Sequence, residues 1–96
     1  MLFVAIYRLR NPSEEAHKRA LALFTSWAPP FEIKGHYSRA DGNGGVAIFE
    51  AADAATVLEG VHPWLPFFEI ELCPAIDAQE SIPIFMRANT WRDSVK

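Results

Sequence analysis

Three histidines, His17, His36 and His62, are the residues of this sequence best suited to acid–base chemistry. Histidine is the side chain whose ordinary pKa lies closest to neutral pH, so each could serve as a general base or as a metal ligand. Their spacing fits no local metal motif, and the single cysteine, Cys73, has no second thiol with which to bind a metal. A short second helix would also leave little room for haem. We therefore expect no metal and no cofactor.

His17 is the best candidate for a catalytic residue, because it lies within the apolar side of a helix predicted over residues 11–27. Ala16, Ala20 and Trp27 recur on that side at helical spacing, and an apolar side of this kind packs against the rest of the fold. His17 is therefore either an ordinary histidine at the edge of the apolar stripe, or a base or hydrogen-bond donor inside a cavity below the helix.

The next segment, residues 31–39, has the alternating pattern of a strand with one dry face. The dry face has Ile33, Gly35 and Tyr37, and the polar face has Glu32, Lys34, His36 and Ser38. On this interpretation Tyr37 either reaches the same cavity with its hydroxyl or packs as a core tyrosine. Arg39, at the strand end, either binds an anionic ligand or lies in solvent at the rim.

Three aromatic residues complete the predicted ligand-binding set: Phe24, Trp27 and Trp64. They lie at the ends of predicted elements, where they either pack in the core or line an apolar pocket. Other familiar sites are absent. The glycine-rich turn joins strand to strand and so is no phosphate loop, and no Gly-x-Ser-x-Gly motif occurs. Glu69 and Glu71 alternate along one strand face, so they do not form a facing pair of acids.

The composition is that of one small globular domain, with 96 residues, half of them hydrophobic, and a formal net charge of −3. This charge and the lack of a basic patch argue against nucleic-acid binding. No stretch approaches the ~20 apolar residues of a membrane span, and the single cysteine fits a reducing compartment. We expect a cytoplasmic protein with neither nucleic acid nor membrane as a partner.

The apolar pattern also predicts the elements that position these residues. Leu2–Leu9 and Val46–Glu50 are apolar on both faces, which is typical of central strands. Residues 31–39 and Phe67–Cys73 are apolar on one face, which is typical of edge strands. With helices after the first strand and after Asp53, the element order is βαββαβ. This element order and the predicted burial of the strands indicate a ferredoxin-like α+β fold. Its antiparallel sheet has the strand order 4-1-3-2, and both helices lie on one face.

One face of such a sheet carries no helices, so its apolar residues need another cover. We expect a second copy of the chain to provide it, forming a homodimer. The polar residues of the two edge strands, Lys34 with His36 and Glu69 with Glu71, would then meet across the dimer interface.

The end of the sequence is predicted to be a separate tail. Residues 1–80 form the domain, with the last strand ending at Pro74, and residues 81–96 form a C-terminal tail that packs on the domain or on the partner subunit. The apolar segment Ile82–Met86 could be a strand or a helix, because Pro83 is compatible with an edge strand or with a first helical turn.

Four stretches together resemble a known family. They are LFVAIYRLR at the start, APPFEIKGHYS before the turn, GNGGVAIFEAADA after it, and HPWLPFFEIELCPAID near the end. The pattern is similar to that of a family of short uncharacterised proteins in the dimeric α+β barrel superfamily, over residues 1–80. The resemblance implies a homodimer with two sheets packed face to face. It also implies a ligand pocket between sheet and helices, as in the cofactor-free oxygenases, lactone isomerases and haem-handling proteins of that superfamily.

Three functional hypotheses follow. The first is a homodimeric protein that binds a small apolar or aromatic ligand between the first helix and the sheet. The second is an enzyme, either a cofactor-free oxygenase or an isomerase, with His17 as its base. The third is a structural or regulatory dimer without a pocket. A cavity below His17 would favour the first two hypotheses over the third.

Overall fold

The computed structural model describes all 96 residues, and its single sheet has four strands. These are β1 (Leu2–Leu9), β2 (Glu32–Ser38), β3 (Gly45–Glu50) and β4 (Phe68–Ala75). Neighbouring strands are antiparallel and lie in the order β2-β3-β1-β4. The predicted order 4-1-3-2 and the ferredoxin-like α+β fold are therefore confirmed, with the strands that are apolar on both faces at the centre.

Three helices complete the fold: α1 (Glu14–Ser26), α2 (Ala54–Val61), which leads into a 3₁₀ turn at His62–Trp64, and α3 (Ala78–Ser94). The side chain of Ser13 caps α1 by accepting a hydrogen bond from Ala16 N at 3.2 Å, so this helix begins later than the sequence indicated. Asp53 caps α2 as predicted, since its Oδ1 accepts a hydrogen bond from Thr56 N at 2.8 Å. None of the three helices is both long and apolar enough to cross a membrane.

The hydrophobic core lies between the sheet and α2. Its centre is Phe49, which is 1% exposed and stacks on Phe3 at a centroid distance of 5.7 Å and on Phe31 at 4.0 Å. Val57 of α2 is buried in the same cluster. In contrast, α1 buries only Ala20. The same face of the sheet is therefore packed tightly under α2 and loosely under α1.

A β-bulge in β2 reverses the predicted orientation of the second half of that strand. Ile33 is opposite Phe49, but the residue opposite Ile48 is Gly35, so β2 contains one extra residue at this point. His36 consequently points toward the helices, and Tyr37 points to the other face, where it is 65% exposed. The expectation that Tyr37 shares a face with Ile33, and that His36 shares one with Lys34, is wrong because the extra residue shifts the alternation.

The face of the sheet opposite α1 and α2 has no helix, and we call it the open face. Its apolar residues are partly or largely exposed: Leu2, Val4, Ile6, Tyr37, Val46 and Ile48. They form a continuous patch because Val4 pairs with Ile48 and Ile6 pairs with Val46 in adjacent strands. A patch of this kind is typical of a surface that another molecule covers.

The predicted tail is helical and extends away from the sheet. The strand β4 continues through Pro74, so the predicted end at that residue is wrong; a proline is tolerated there because β4 is an edge strand. α3 then includes the whole of Ile82–Met86, with Pro83 inside it, and buries none of its residues. The molecule is therefore 58 Å long with a radius of gyration of 17.3 Å, compared with about 13 Å for a compact chain of this size.

Candidate functional site

A cavity of about 370 Å³ lies between α1 and the face of the sheet that the helices cover. This volume is within the usual range for small-molecule sites, about 300–1,000 Å³. Fifteen of its 21 lining residues are hydrophobic, and none is Asp, Glu, Lys or Arg. The loose packing of α1, in which only Ala20 is buried, leaves this space.

The floor of the cavity consists of small residues on the two central strands. Ala5 of β1 and Ala47 of β3 are cross-strand partners, and both line the cavity. Their methyl groups reach less far toward α1 than the branched and aromatic side chains that usually fill the face of a sheet. Part of the space between the sheet and α1 is therefore left unfilled above this pair of alanines.

Aromatic side chains form the walls. The rings of Phe24 and Trp64 are 6.3 Å apart, and the rings of Trp27 and Trp64 meet edge to face at 5.2 Å. At the far end Phe31 stacks on Phe49. Aromatic rings in these arrangements supply large apolar contact areas and hold one another in place. The walls therefore suit a flat apolar molecule.

The main polar feature of the cavity is a hydrogen-bonded pair, Tyr7 and His36, with Tyr7 Oη 2.6 Å from His36 Nε2. These residues belong to β1 and β2, which are separated by β3, and the residue of β3 opposite Tyr7 is Gly45. A Cβ atom on Gly45 would lie 2.6 Å from Tyr7 Oη and 2.2 Å from the carbonyl oxygen of Tyr37. Glycine at this position therefore allows the Tyr7 ring to cross β3 and reach His36.

The Tyr7–His36 pair is uncharged at neutral pH. Desolvation by burial lowers the pKa of His36 from its ordinary 6.5, and it raises the pKa of Tyr7 from its ordinary 10.0, because it disfavours the charged form of each. A phenol is the better donor and an unprotonated imidazole nitrogen the better acceptor, so we assign the shared proton to Tyr7 Oη. His36 then carries its own proton on Nδ1.

The polar groups lie toward one end of the cavity. Along the face of the sheet under α1, the apolar pair Ile33 and Phe49 comes first, and the level of Ala5, Ala47 and His36 comes next. The level of Tyr7 and Ser38 follows, at the end where β1 leads into α1. A ligand in the cavity would therefore place its apolar part toward Phe49 and a polar group near Tyr7.

Four of the six residues predicted to bind a ligand line the cavity: His17, Phe24, Trp27 and Trp64. The exposed His17 is at the rim. Tyr37 lies on the open face and does not line the cavity. Arg39 is in the hairpin turn, where its guanidinium pairs with Asp41 at an Nη2–Oδ2 distance of 2.5 Å. It therefore lies at the solvent-exposed rim, which is one of the two positions that the sequence allows.

Three of the four residues predicted for a dimer interface lie on the open face. Glu69 and Glu71 of β4 are opposite Arg8 and Ile6 of β1 on that side. Lys34 pairs with Glu32 of its own strand, with 3.2 Å between Nζ and Oε1. The fourth residue, His36, points into the cavity instead.

The protein-family model of a domain of unknown function, DUF3303, matches residues 1–89. The chain belongs to this family. No curated protein matches it. Every residue that lines the cavity therefore lies within the DUF3303 domain.

The sequence pattern alone does not identify two residues of this cavity. It predicts Tyr7 only as part of a central strand, and its prediction for the face of His36 is wrong. Gly35 was the available signal, because a glycine inside a strand often marks a bulge. A bulge at Gly35 would have predicted His36 beside the central strands, although not its contact with Tyr7.

The side chains of the DUF3303 chain do not gather as metal ligands do. No group of three or more His, Cys, Asp or Glu side chains lies close enough to hold a metal ion. The side chains around the cavity that can form hydrogen bonds are those of two histidines, one tyrosine and one serine, with the indole N–H groups of Trp27 and Trp64. Trp64 Nε1 is buried and has no hydrogen-bond partner. Polar groups of this kind in an aromatic enclosure can orient a small molecule through hydrogen bonds.

Proposed function

We propose that this DUF3303 chain binds an uncharged, largely apolar small molecule in the cavity between α1 and the sheet. The observation that carries the proposal is a cavity of about 370 Å³ with 15 hydrophobic residues among its 21 lining residues and no Asp, Glu, Lys or Arg. A charged ligand would lose its hydration there without gaining an opposite charge.

The packing of the rest of the fold supports the same proposal. Protein interiors are close-packed and have few voids larger than a water molecule. The core around Phe49 follows this rule, with that side chain 1% exposed. The space above Ala5 and Ala47 lies in the same layer but is not filled by side chains. This difference favours a ligand site over the third hypothesis, a dimer without a pocket.

NMR of the three tryptophan indole N–H groups tests this proposal. Trp27 and Trp64 line the cavity, whereas Trp91 lies on α3 and is 70% exposed. Naphthalene, added up to its solubility limit, should shift the Trp27 and Trp64 signals saturably and leave the Trp91 signal in place. No saturable shift, or an equal shift at all three signals, would overturn the proposal.

A pair of matched variants makes the test specific to the cavity. Ala47→Leu adds a larger side chain to the floor, and Ala22→Leu adds the same side chain to the exposed part of α1. The first variant should strongly reduce the naphthalene-induced shifts, and the second should keep them. Loss of the shifts in both variants would show that the shifts do not report on the cavity.

The proposal includes the assembly of two copies through the open face, as a dimeric α+β barrel. The apolar patch formed by Val4, Ile6, Val46 and Ile48 has no cover within the chain, and the sheet has helices on its other face only. Apolar residues of a sheet are usually covered on both sides. A second copy is the simplest cover, since one twofold axis buries the patch of both subunits.

The exposed helix α3 supports the same assembly. Its large apolar side chains are 45–70% exposed: Ile82, Ile84, Phe85, Met86 and Trp91. Single exposed apolar residues are common, but a projecting helix with five of them is typical of a segment that packs on another subunit. In the proposed dimer each α3 packs on the partner subunit.

Sedimentation velocity at micromolar concentration tests the dimer independently of the ligand. The expected species has twice the chain mass of 10.8 kDa. A monomer across the whole concentration range would overturn this part of the proposal, and it would leave the cavity and its ligand unaffected.

A second candidate function is proton-transfer catalysis in the same cavity, of the kind that an isomerase or a cofactor-free oxygenase uses. The observation that favours it is the Tyr7–His36 pair: an imidazole with a lowered pKa is unprotonated at neutral pH and can accept a proton. Because the Tyr7 hydroxyl occupies His36 Nε2, the proton from carbon would pass to Tyr7 Oη as the tyrosine's own proton moves to Nε2, so His36 is the final acceptor. His17 lies at the rim. The protein should accelerate the exchange of the acidic C–H hydrogens of 2-tetralone for deuterium in D₂O, and His36→Leu should lose this acceleration. If the native protein gives no acceleration, this candidate function is excluded for ketones of that type.

A further inference from the structure

Among the polar side chains that line the cavity, Tyr7 and His36 are joined by a hydrogen bond, and this bond determines which group Tyr7 offers to a ligand. Tyr7 Oη and His36 Nε2 are 2.6 Å apart. With His36 unprotonated, we assign the phenol as the donor in this bond. With its only proton engaged, Tyr7 Oη has lone pairs left but no hydrogen to donate. The group that Tyr7 offers to a ligand is therefore an acceptor.

The hydrogen bond to His36 makes this acceptor stronger. When a hydroxyl donates to an imidazole nitrogen, electron density moves toward its oxygen, so that oxygen becomes a better acceptor for a further bond. Tyr7 is held in this state on both sides, because Phe68 meets its ring edge to face at 5.0 Å and Gly45 leaves room for it over β3. The tyrosine is therefore positioned before a ligand arrives.

We infer that the cavity selects aromatic or alicyclic molecules that carry a hydroxyl or N–H donor, and that Tyr7 Oη accepts the hydrogen bond from this donor. The inference rests on the proposed function and specifies its ligand class. In this arrangement the ring system lies over Ala5 and Ala47, and the donor group is directed toward Tyr7. An ether of the same shape would face the lone pairs of Tyr7 with its own lone pairs.

A matched pair of probes, 2-naphthol and 2-methoxynaphthalene, tests the inference by NMR or calorimetric titration. The native protein should bind the naphthol about three- to tenfold more tightly, the range expected for one net hydrogen bond between neutral groups. Tyr7→Phe should remove this preference. The control Tyr37→Phe makes the same chemical change on the open face and should keep the preference.

The variant His36→Leu adds a test of direction. Without His36 the Tyr7 hydroxyl is free to donate, so the ether becomes an acceptable ligand and the preference for the naphthol should fall to about twofold or less. The amide spectrum of each variant shows whether it has folded. If Tyr7→Phe does not fold, His36→Leu measures the same preference.

The outcomes separate this inference from the proposed function. Equal affinity for both probes in the native protein would overturn the inference and leave a cavity that binds apolar molecules. A preference that persists in Tyr7→Phe would also overturn it, because another group would then recognise the hydroxyl. Failure of both probes and of naphthalene to bind would overturn both conclusions.

Discussion

Filling the floor of the cavity should stabilise the fold and impair ligand binding at the same time. In Ala47→Leu three carbon atoms are added above the centre of β3, in a space of about 370 Å³. Each fully buried carbon contributes about 0.8 kcal/mol, so the upper limit is about 2.4 kcal/mol. The cavity is open on one side, so we take about half of this limit, ~1.2 kcal/mol. For a domain of this size the melting temperature should rise by roughly 5–10 °C.

Differential scanning calorimetry measures the stability, and titration with naphthalene measures the binding, which should weaken at least about tenfold. The control Ala22→Leu lies on the exposed side of α1, and its free energy of unfolding should change by no more than about 0.5 kcal/mol. A melting temperature that falls in Ala47→Leu while naphthalene binding is unchanged would refute the reasoning. That result would mean that the residues around Ala47 already fill the space.

Three further predictions concern the pH dependence, the C-terminal helix and the proposed interface. The pKa of folded His36 is lowered, so as the pH falls below about 6.5 the unfolded chain binds a proton before the folded chain does, and the free energy of unfolding should fall. Urea unfolding at several pH values should show a shallower fall in His36→Gln. An unchanged dependence of the unfolding free energy on pH would contradict the lowered pKa of His36. Truncation after Asp77 removes α3, which buries nothing within its own chain, so the monomer fold should persist by circular dichroism while the dimer measured by sedimentation weakens; an unweakened dimer would contradict the proposed role of α3. Charge reversal in Lys34→Glu should weaken the dimer by about 0.2–1 kcal/mol per lost pair, and combining it with Glu69→Lys should partly restore it, whereas purely additive effects would place the two residues apart.

The strand order could be predicted because it depends on the distribution of apolar residues along each strand, which is visible in the sequence. Leu2–Leu9 has apolar residues at successive positions, so both of its faces must be covered. In the first part of Phe68–Ala75 apolar and acidic residues alternate, so only one face of that strand needs cover. These two kinds of strand can be ordered in one sheet without knowledge of any contact. The helix–sheet cavity followed in outline, because His17 lies within the apolar side of α1.

The site could not be predicted in full because it depends on one inserted residue. The alternation of β2 extrapolates correctly as far as Ile33 and fails beyond it, since the bulge at Gly35 exchanges the faces of His36 and Tyr37. The Tyr7–His36 bond also requires Gly45 under the tyrosine ring, a relation between three strands that no local pattern contains. The helical state of Ile82–Met86 was open for a different reason, because Pro83 is compatible with both alternatives.

Intermolecular NOEs between 2-naphthol and methyl-labelled protein test the central claim most directly, because they locate the bound molecule. The methyl groups of Ala5 and Ala47 form the floor of the cavity, and those of Val4 and Ile48 lie on the open face of the same two strands. We predict NOEs from the naphthol ring protons to Ala5 and Ala47 and none to Val4 and Ile48. NOEs to the open-face methyl groups alone, or no NOE at saturating naphthol, would contradict a ligand site between α1 and the sheet.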